Sequence, residues 1–378
     1  MARFPGEEHK LFAQEFRRYV QKELAPQVDR WEQEGETPRS VWRACGAQGF
    51  LCPTVSPEYG GAGADFGYSY VINHELARAG VPLMLGLHSD VVVPYIESYG
   101  NEEQKRRWLP GCVRGEIVTA IAMTEPDTGS DLQAIRTTAV RDGDHYVING
   151  SKIFISYGIS CDLVIVVCKT APGVAGRNGL SLIVVEDGTP GFVKAHQLKK
   201  MGLHSQDTAE LVFEDCRVPV GNLLGQENAG FQYLMNKLQT ERLVMAIMAV
   251  GWADRVLALT LDYVKNRHAF GKPIGSFQNT QFKLAEMATE VALGRAFVER
   301  LTEKYIAGEE IVAEVSMAKW WTTEMVNRLA YQGVQLHGGY GFMEEYEISR
   351  IYRDVRMQTI AAGTTEIMKQ TIAKRLGL

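Results

Sequence analysis

The spacing of apolar residues in this chain changes twice. Up to about residue 118 they recur every three or four positions, and from about 119 the period falls to two. After Gly225-Gln226-Glu227-Asn228 the longer period returns and persists to the end. A stretch patterned for a helix does not bury one face as a strand, so the order helices, strands, helices is imposed on the fold. At 378 residues the chain also exceeds the size at which one core keeps growing. The expectation is an α+β protein in three parts. These are an N-terminal helical domain (1–118), a central β domain (119–226) and a C-terminal bundle of four or five helices (227–378).

Local signals refine this plan. Glu7 to Trp31 has helical periodicity interrupted at Pro26, and Asn101-Glu102-Glu103-Gln104 reads as a capping box. In the middle segment Arg141-Asp142-Gly143-Asp144 and Asn149-Gly150 read as hairpin turns, flanked by strands at Thr137–Val140, Tyr146–Ile148 and Lys152–Ser156. Further strands are expected at Leu163–Cys168, Leu180–Val185, Phe192–His196 and Ala209–Phe213, which suits a small antiparallel barrel or sandwich.

The third segment opens with a long helix from Gly230, followed by Arg267-His268-Ala269-Phe270-Gly271-Lys272-Pro273-Ile274. Phe231, Leu234, Leu238, Met245 and Met248 form its buried stripe, and Glu241 falls in the gap of that stripe. Burying a charge costs several kcal/mol unless it is paired, so Glu241 is paired, protonated or used. A core ion pair and a functional carboxylate look alike at this stage.

Several function classes lack support. A net charge of −5 with no run of like charge gives no electrostatic case for nucleic acid. The glycines of Pro57-Glu58-Tyr59-Gly60-Gly61-Ala62-Gly63 follow no strand, and Phe66 stands where a dinucleotide fingerprint needs its third glycine. No phosphate loop of the Walker type is present. Cys45, Cys52, Cys112, Cys161, Cys168 and Cys216 form no Cys-x-x-Cys pair, and read as buried hydrophobes in a reducing compartment. The longest apolar run, Leu243 to Ala253, is too short to span a membrane, and early acidic residues make the N-terminus unlike a leader. A cytoplasmic protein is expected, with the mitochondrial matrix after leader removal as the alternative.

Two further segments could carry chemistry. Ile121 to Asp131 is dense in hydroxyls and turns, suited to the polar edge of a ring, but a domain linker has the same composition. Gly338, Gly339 and Gly341 let a backbone approach a ligand closely, and Arg267 supplies a fixed cation for a phosphate. The structural alternatives are a tight helix–helix turn and a helix C-terminal cation. His337 taken alone reads as a structural histidine.

Together, Thr124-Glu125-Pro126-x-x-Gly129-Ser130-Asp131, Asn149-Gly150-Ser151-Lys152-x-Phe154-Ile155-Ser156, Arg267-x-x-Phe270-Gly271-x-Pro273-Ile274, Gln335-x-x-Gly338-Gly339-x-Gly341 and Gly363-Thr364-Thr365-Glu366-Ile367 resemble, in order, the acyl-CoA dehydrogenase family. The resemblance implies an N-terminal helical domain, a central β domain and a C-terminal four-helix bundle. It also implies bound FAD, a homotetramer built as a dimer of dimers, and electron-transfer flavoprotein as acceptor, in fatty-acid β-oxidation. Carried over by position, Met123, Thr124, Gly129, Ser130, Phe154 and Ser156 would line the flavin or the acyl-CoA beside it. Thr364 and Glu366 would hold the rest of that FAD. Arg267, Phe270, Gln278, Gln335, Gly338 and Gly339 match positions for the pyrophosphate and adenosine end, partly of a neighbouring subunit's FAD.

One departure bears on mechanism. Many members place the catalytic glutamate immediately before Gly-Thr, where this chain has Ala362, preceded by Ala361. The long-chain and isovaleryl-CoA dehydrogenases resemble this chain in that respect and take their base from the position of Glu241, beside Arg242. By the same resemblance Gln239, Arg242, Ser130, Ala361, Ala362 and Gly363 would contact acyl-CoA. The implied reaction is removal of the α-proton by Glu241 and of a β-hydride by flavin, giving trans-2-enoyl-CoA. An acyl-CoA oxidase on the same fold is the alternative, though oxidases of this type are usually far longer.

Overall fold

The computed structural model describes residues 4–171, 173, 174 and 176–378. The N-terminal part is helical: α1 (Glu7–Tyr19), α2 (Val28–Glu34), α3 (Arg39–Ala47), α4 (Phe66–Arg78), α5 (Val93–Tyr99) and α6 (Glu102–Val113). Between α1 and α2 the ladder loosens into a π turn at Val20–Leu24 and a 3₁₀ turn at Ala25–Gln27, where Pro26 has no N–H to give. The expected capping box opens α6, with Asn101 and Gln104 bonded reciprocally at 2.8 and 2.9 Å. Gln104 also donates to the carbonyls of Gly221 and Leu223, tying α6 to the end of the β part.

Eight strands follow: β1 (Thr119–Ala122), β2 (Thr138–Asp142), β3 (His145–Ser156), β4 (Leu163–Lys169), β5 (Leu180–Glu186), β6 (Phe192–Gln197), β7 (Thr208–Pro219) and β8 (Leu223–Leu224). They form one sheet in the order β6-β7-β3-β2-β4-β5-β8, with β1 also on β4. The pairing is antiparallel except that β4 runs parallel to β1 and, at Thr138 and Lys169, to β2. The turn expected at Asn149-Gly150 is not one. Both residues lie inside β3, at a register shift against β7. Gly150 has φ +146, and a Cβ there would stand 2.6 Å from Thr137 Oγ1, so the glycine serves a close approach within the sheet.

β4 shows why this sheet cannot stand apart from the helices. Leu163, Ile165 and Val167 join the core built by the helices, whereas Val164, Val166 and Cys168 face a second core inside the β part. Alternation sends successive side chains to opposite faces, and here both faces are buried.

The C-terminal part holds α7 (Gly230–Asn266), α8 (Gln278–Ile306), α9 (Val312–His337), α10 (Glu347–Asp354) and α11 (Thr365–Arg375). A two-stranded hairpin, β9 (His268–Ala269) and β10 (Lys272–Pro273), leads from α7 to α8. At 37 residues α7 is about 55 Å long. Every residue from Thr240 to Ala253 is buried, so this stretch is enclosed on all sides rather than along one stripe. By length and composition α7 could cross a bilayer, but it is mostly buried as the central helix of this fold.

Gly251 sets the crossing of α7 with α4. A Cβ there would lie 2.6 Å from the His74 carbonyl oxygen and 2.8 Å from Ala77 Cβ. Gly251→Ala is expected to destabilise the protein by about 1–3 kcal/mol, as overpacking does. Thermal unfolding checks this against Gly221→Ala, whose Cβ would meet nothing within 4 Å. Equal midpoints for the two variants would show that α4 yields at no cost.

Candidate active site

Glu241 sits in the enclosed stretch of α7 and is 7% exposed. Its Oε1 accepts a hydrogen bond of 3.1 Å from the phenol of Tyr95, a fully buried residue of α5. No hydrogen bond from the described residues reaches Oε2, and none of their ion pairs includes Glu241. The core ion pair left open by the sequence is therefore not what the fold builds. Loss of water raises the carboxyl to about 7, against the Tyr95 hydrogen bond and the charge of Arg242. A carboxylate so placed exchanges a proton near neutral pH.

The second component is the turn before α11. Ala362 has φ +54 and Gly363 φ +95, so two consecutive residues are left-handed, one of them without glycine's freedom. Three contacts hold this turn. Lys319 of α9 donates to the Gly363 carbonyl at 2.7 Å. Thr364 caps α11 by accepting from Ile367 N–H at 3.4 Å, and Thr365 donates to Glu324 at 2.9 Å. A Cβ on Gly363 would be 4.0 Å from Arg242 Nη2, which brings the turn beside Arg242. Burial, then repulsion by Arg242, lowers the fully buried Lys319 ammonium to about 8. Burial likewise lowers Arg242 from its usual value, and its Nε has no partner. Arg242 and Gln239 line one cavity with Glu310, Thr371 and Arg375.

The third component is the loop after β1. Glu125 is buried and takes hydrogen bonds from Lys152 (2.8 Å), Thr137 N–H (2.9 Å) and Arg136 N–H (2.7 Å). Burial raises its carboxyl, but the Lys152 charge and these bonds outweigh it, and the net shift is downward. Lys152 also donates to the Met123 carbonyl at 3.0 Å, and Ile153 N–H to that of Thr124 at 2.9 Å. The segment Met123–Ser130 is thus sewn to β3. Beside it Phe154 stands 65% exposed with φ +61, at the second register shift of β3, two residues before Ser156. Gly129 and Ser130 are exposed, and a Cβ on Gly129 would meet nothing. An exposed aromatic face next to hydroxyls and bare backbone fits a planar ring with a polar edge.

A separate cleft at the other end of α7 is lined by Tyr263, Arg267, His337, Gly338, Gly339 and Tyr340. Arg267 lies over the Tyr340 ring at 5.3 Å. Gly338 has φ +61, and neither Gly338 nor Gly339 has a neighbour within 4 Å of a would-be Cβ. A guanidinium with no hydrogen-bond or ion-pair partner among the described residues, above bare glycine backbone, fits a phosphate. Phe270, with φ +53 at the hairpin tip, is 95% exposed, and Gln278 and Gln335 are exposed at helix ends. His337 is structural as expected, with Nδ1 2.7 Å from the Gly333 carbonyl. Glu241 and Arg267 are 26 helical residues apart, roughly 39 Å, so one chain does not bring these two groups together.

Sequence reasoning missed Tyr95 and Lys319, and gave Glu125 and Lys152 no role. Lys319 had a legible signal, because it falls on the apolar face of α9 marked by Val315, Ala318, Met325, Val326 and Leu329, as Glu241 falls on that of α7. Tyr95 had none, since its role depends on the packing of α5 against α7.

Comparison with known proteins agrees with this architecture. Three family models match in succession: the acyl-CoA dehydrogenase N-terminal domain over residues 6–116, the middle domain over 120–216 and the C-terminal domain over 228–377. The chain is 44% identical over 371 residues to the long-chain specific acyl-CoA dehydrogenase, mitochondrial, of Sus scrofa, covering 98% of this chain and 86% of the relative. It is 34% identical over 374 residues to the isovaleryl-CoA dehydrogenase, mitochondrial, of Pongo abelii, covering 98% and 88%. The crystal structure of an acyl-CoA dehydrogenase from Geobacillus kaustophilus superposes with a TM-score of 0.98 at 57% identity, covering all of both chains. With its three matched segments, its helix–sheet–helix order and these relatives, the chain belongs to the acyl-CoA dehydrogenase family, on the side of the long-chain and isovaleryl enzymes.

Proposed function

We propose that the chain is an FAD-dependent acyl-CoA dehydrogenase that oxidises an acyl-CoA thioester to the trans-2-enoyl-CoA, with Glu241 as the base. The observation that carries this reading is a desolvated carboxylate that, among the described residues, has one hydrogen-bond partner and one oxygen without any, in a fold of this family. The α-proton of a thioester is weakly acidic, so its removal needs a base of raised pKa within about 3 Å hydrogen-bond reach. Negative charge then builds on the thioester oxygen. The N–H of Ala362, which has no partner among the hydrogen bonds of its turn, is the donor for it. Because that donor is backbone, an alanine at 362 keeps it. Lys319 fixes the turn through Gly363, and Arg242 with Gln239 lines the acyl-CoA approach.

FAD would supply the acceptor for the β-hydride. Met123, Thr124, Gly129, Ser130, Phe154 and Ser156 would hold its ring on the side of β3, and Thr364 and Glu366 the adjoining part. Arg267, Phe270, Gln278, Gln335, Gly338 and Gly339 would hold the pyrophosphate and adenosine end from a neighbouring subunit. The roughly 39 Å between the two groups supports such sharing, and with it a homotetramer arranged as a dimer of dimers. Electron-transfer flavoprotein would reoxidise the enzyme. Six buried, unpaired cysteines suit a reducing compartment, cytoplasmic or mitochondrial-matrix. Adjacent alanines at 361 and 362 leave room near the reacting carbons for branched or long acyl groups. Anaerobic titration of the purified protein with acyl-CoAs of graded length and branching tests the activity and the preference together.

Glu241→Gln is expected to retain flavin and acyl-CoA binding but lose flavin reduction by roughly 10²–10⁴-fold in stopped flow. Wild-type reduction should rise with pH through about 7, as the base loses its proton.

The same group has a signature in stability. Between the ordinary glutamate value of 4.5 and about 7 the folded chain binds a proton at Glu241 that the unfolded chain has lost. Stability from this group therefore falls as pH rises through that window. Glu241→Gln should unfold at a higher temperature than wild type at pH 8 and show little gain at pH 4, with a difference bounded by about 3 kcal/mol.

Arg267→Ala should lose FAD on gel filtration and weaken the tetramer, because it removes a charge-assisted phosphate contact worth about 1.5–3 kcal/mol. Unchanged flavin occupancy would remove Arg267 from the phosphate site.

A further inference from the structure

The hydrogen bond between Tyr95 and Glu241 is the last rung of a ladder between α5 and α7. Tyr233, Lys237 and Glu241 recur every fourth residue along α7, and each meets a residue of α5. Tyr233 stacks on Tyr99 with centroids 3.9 Å apart. Lys237 donates to Ser98 at 2.6 Å and lies 5.7 Å from the centre of the Tyr99 ring. The third rung is the Tyr95 phenol on Oε1 of Glu241, enclosed at both ends. Below it, α5 is continuous with a π turn at Leu87–Val92 that Asp90 locks to α4, through Ser69 (2.5 Å) and Asn73 (2.8 Å). Fixed at both ends, α5 presents its phenol at one place.

We propose that Tyr95 is a positioning residue for the base: its phenol holds Oε1 of Glu241 and leaves Oε2 as the atom that takes the substrate proton. The inference rests on the reading of Glu241 as the base. A carboxylate with one oxygen clamped has only the other to offer, and a side chain with three rotatable bonds is held in one pose. The phenol also stabilises the charged form of the carboxylate, so it keeps the base ionised in a site that otherwise favours the acid.

Other charged groups on the elements packed against α7 are engaged elsewhere. His74 and Glu75 of α4 bond Asp254 and Arg17, Asp90 bonds Ser69 and Asn73, and Tyr305 of α8 bonds Thr240. Lys319 of α9 bonds Gly363, and Glu186 of β5 bonds Trp108 and Arg107. Arg242 acts on Glu241 through its charge alone.

The test measures single-turnover flavin reduction against pH for wild type, Tyr95→Phe and Glu241→Gln. Loss of the phenol should move the acid limb upward by about 1–2 pH units, the worth of one hydrogen bond to a charged group. An unmoved limb in Tyr95→Phe, with Glu241→Gln inactive, overturns the role of Tyr95 and leaves the base in place. Wild-type reduction by Glu241→Gln overturns the base itself. A second measurement needs no flavin. Infrared difference titration of the carboxyl band, with Glu241→Gln as the blank, should give a higher midpoint in Tyr95→Phe, and equal midpoints overturn the proposal. If Tyr95→Phe does not fold, 3-fluorotyrosine at position 95, a stronger donor, should move the midpoint downward, and an unchanged midpoint again overturns it.

Discussion

Exclusion of water from the middle of α7 is the condition on which the rest depends. A carboxylate at the surface titrates near 4.5 and is a feeble base towards a thioester α-proton. The enclosure that α4, α5, α8 and α9 make around Thr240–Ala253 changes that. Each of these elements comes from a different part of the chain, so the basicity of one side chain is a property of the whole assembly. The close approach at Gly251 and the two-faced burial of β4 serve the same enclosure.

Three buried carboxylates show how partners offset the effect of burial on acidity to different extents. Glu125 faces an ammonium and two backbone N–H groups and is held below its ordinary value. Among the described residues Asp90 meets only the neutral donors of Ser69 and Asn73, and burial raises it to about 6. Glu241 has, among the described residues, one phenol and the charge of Arg242 without a hydrogen bond to it, and burial raises it further, to about 7. Satisfied donors make Glu125 a fixed clamp for the loop at Met123–Ser130. A shortage of donors leaves the Glu241 carboxyl raised, as the base proposed for the reaction requires. The same residue type is shifted down in one place and up in the other, in step with the hydrogens and charges that point at it.

Much of this was legible in the sequence because periodicity reports burial. The change from period four to two and back marks the succession of α6, β1 and later α7, and the misfit of Glu241 in an apolar stripe marks the site. The turn chemistry of Asn149-Gly150 misled, because glycine also permits a close approach inside a strand, and only the neighbour Thr137 distinguishes the two. Tyr95 was not legible at all. A tyrosine near Pro94 carries no mark of the helix it will face 146 residues later. Residues that act through contacts across long sequence separations leave no periodic trace, whereas those that break a pattern within their own helix do.

The two-faced burial of β4 has a consequence during synthesis. The run Leu163-Val164-Ile165-Val166-Val167-Cys168 is uncharged, free of proline and rich in β-branched residues, the composition of strands that zip together between molecules. It leaves the ribosome before α7, whose first residue, Gly230, packs against the Leu180 carbonyl of neighbouring β5. While at least sixty further residues are made, part of the helical side of this sheet waits uncovered. A chain truncated after the β part would expose that face permanently, so premature termination between 224 and 230 should yield inclusion bodies rather than a soluble fragment.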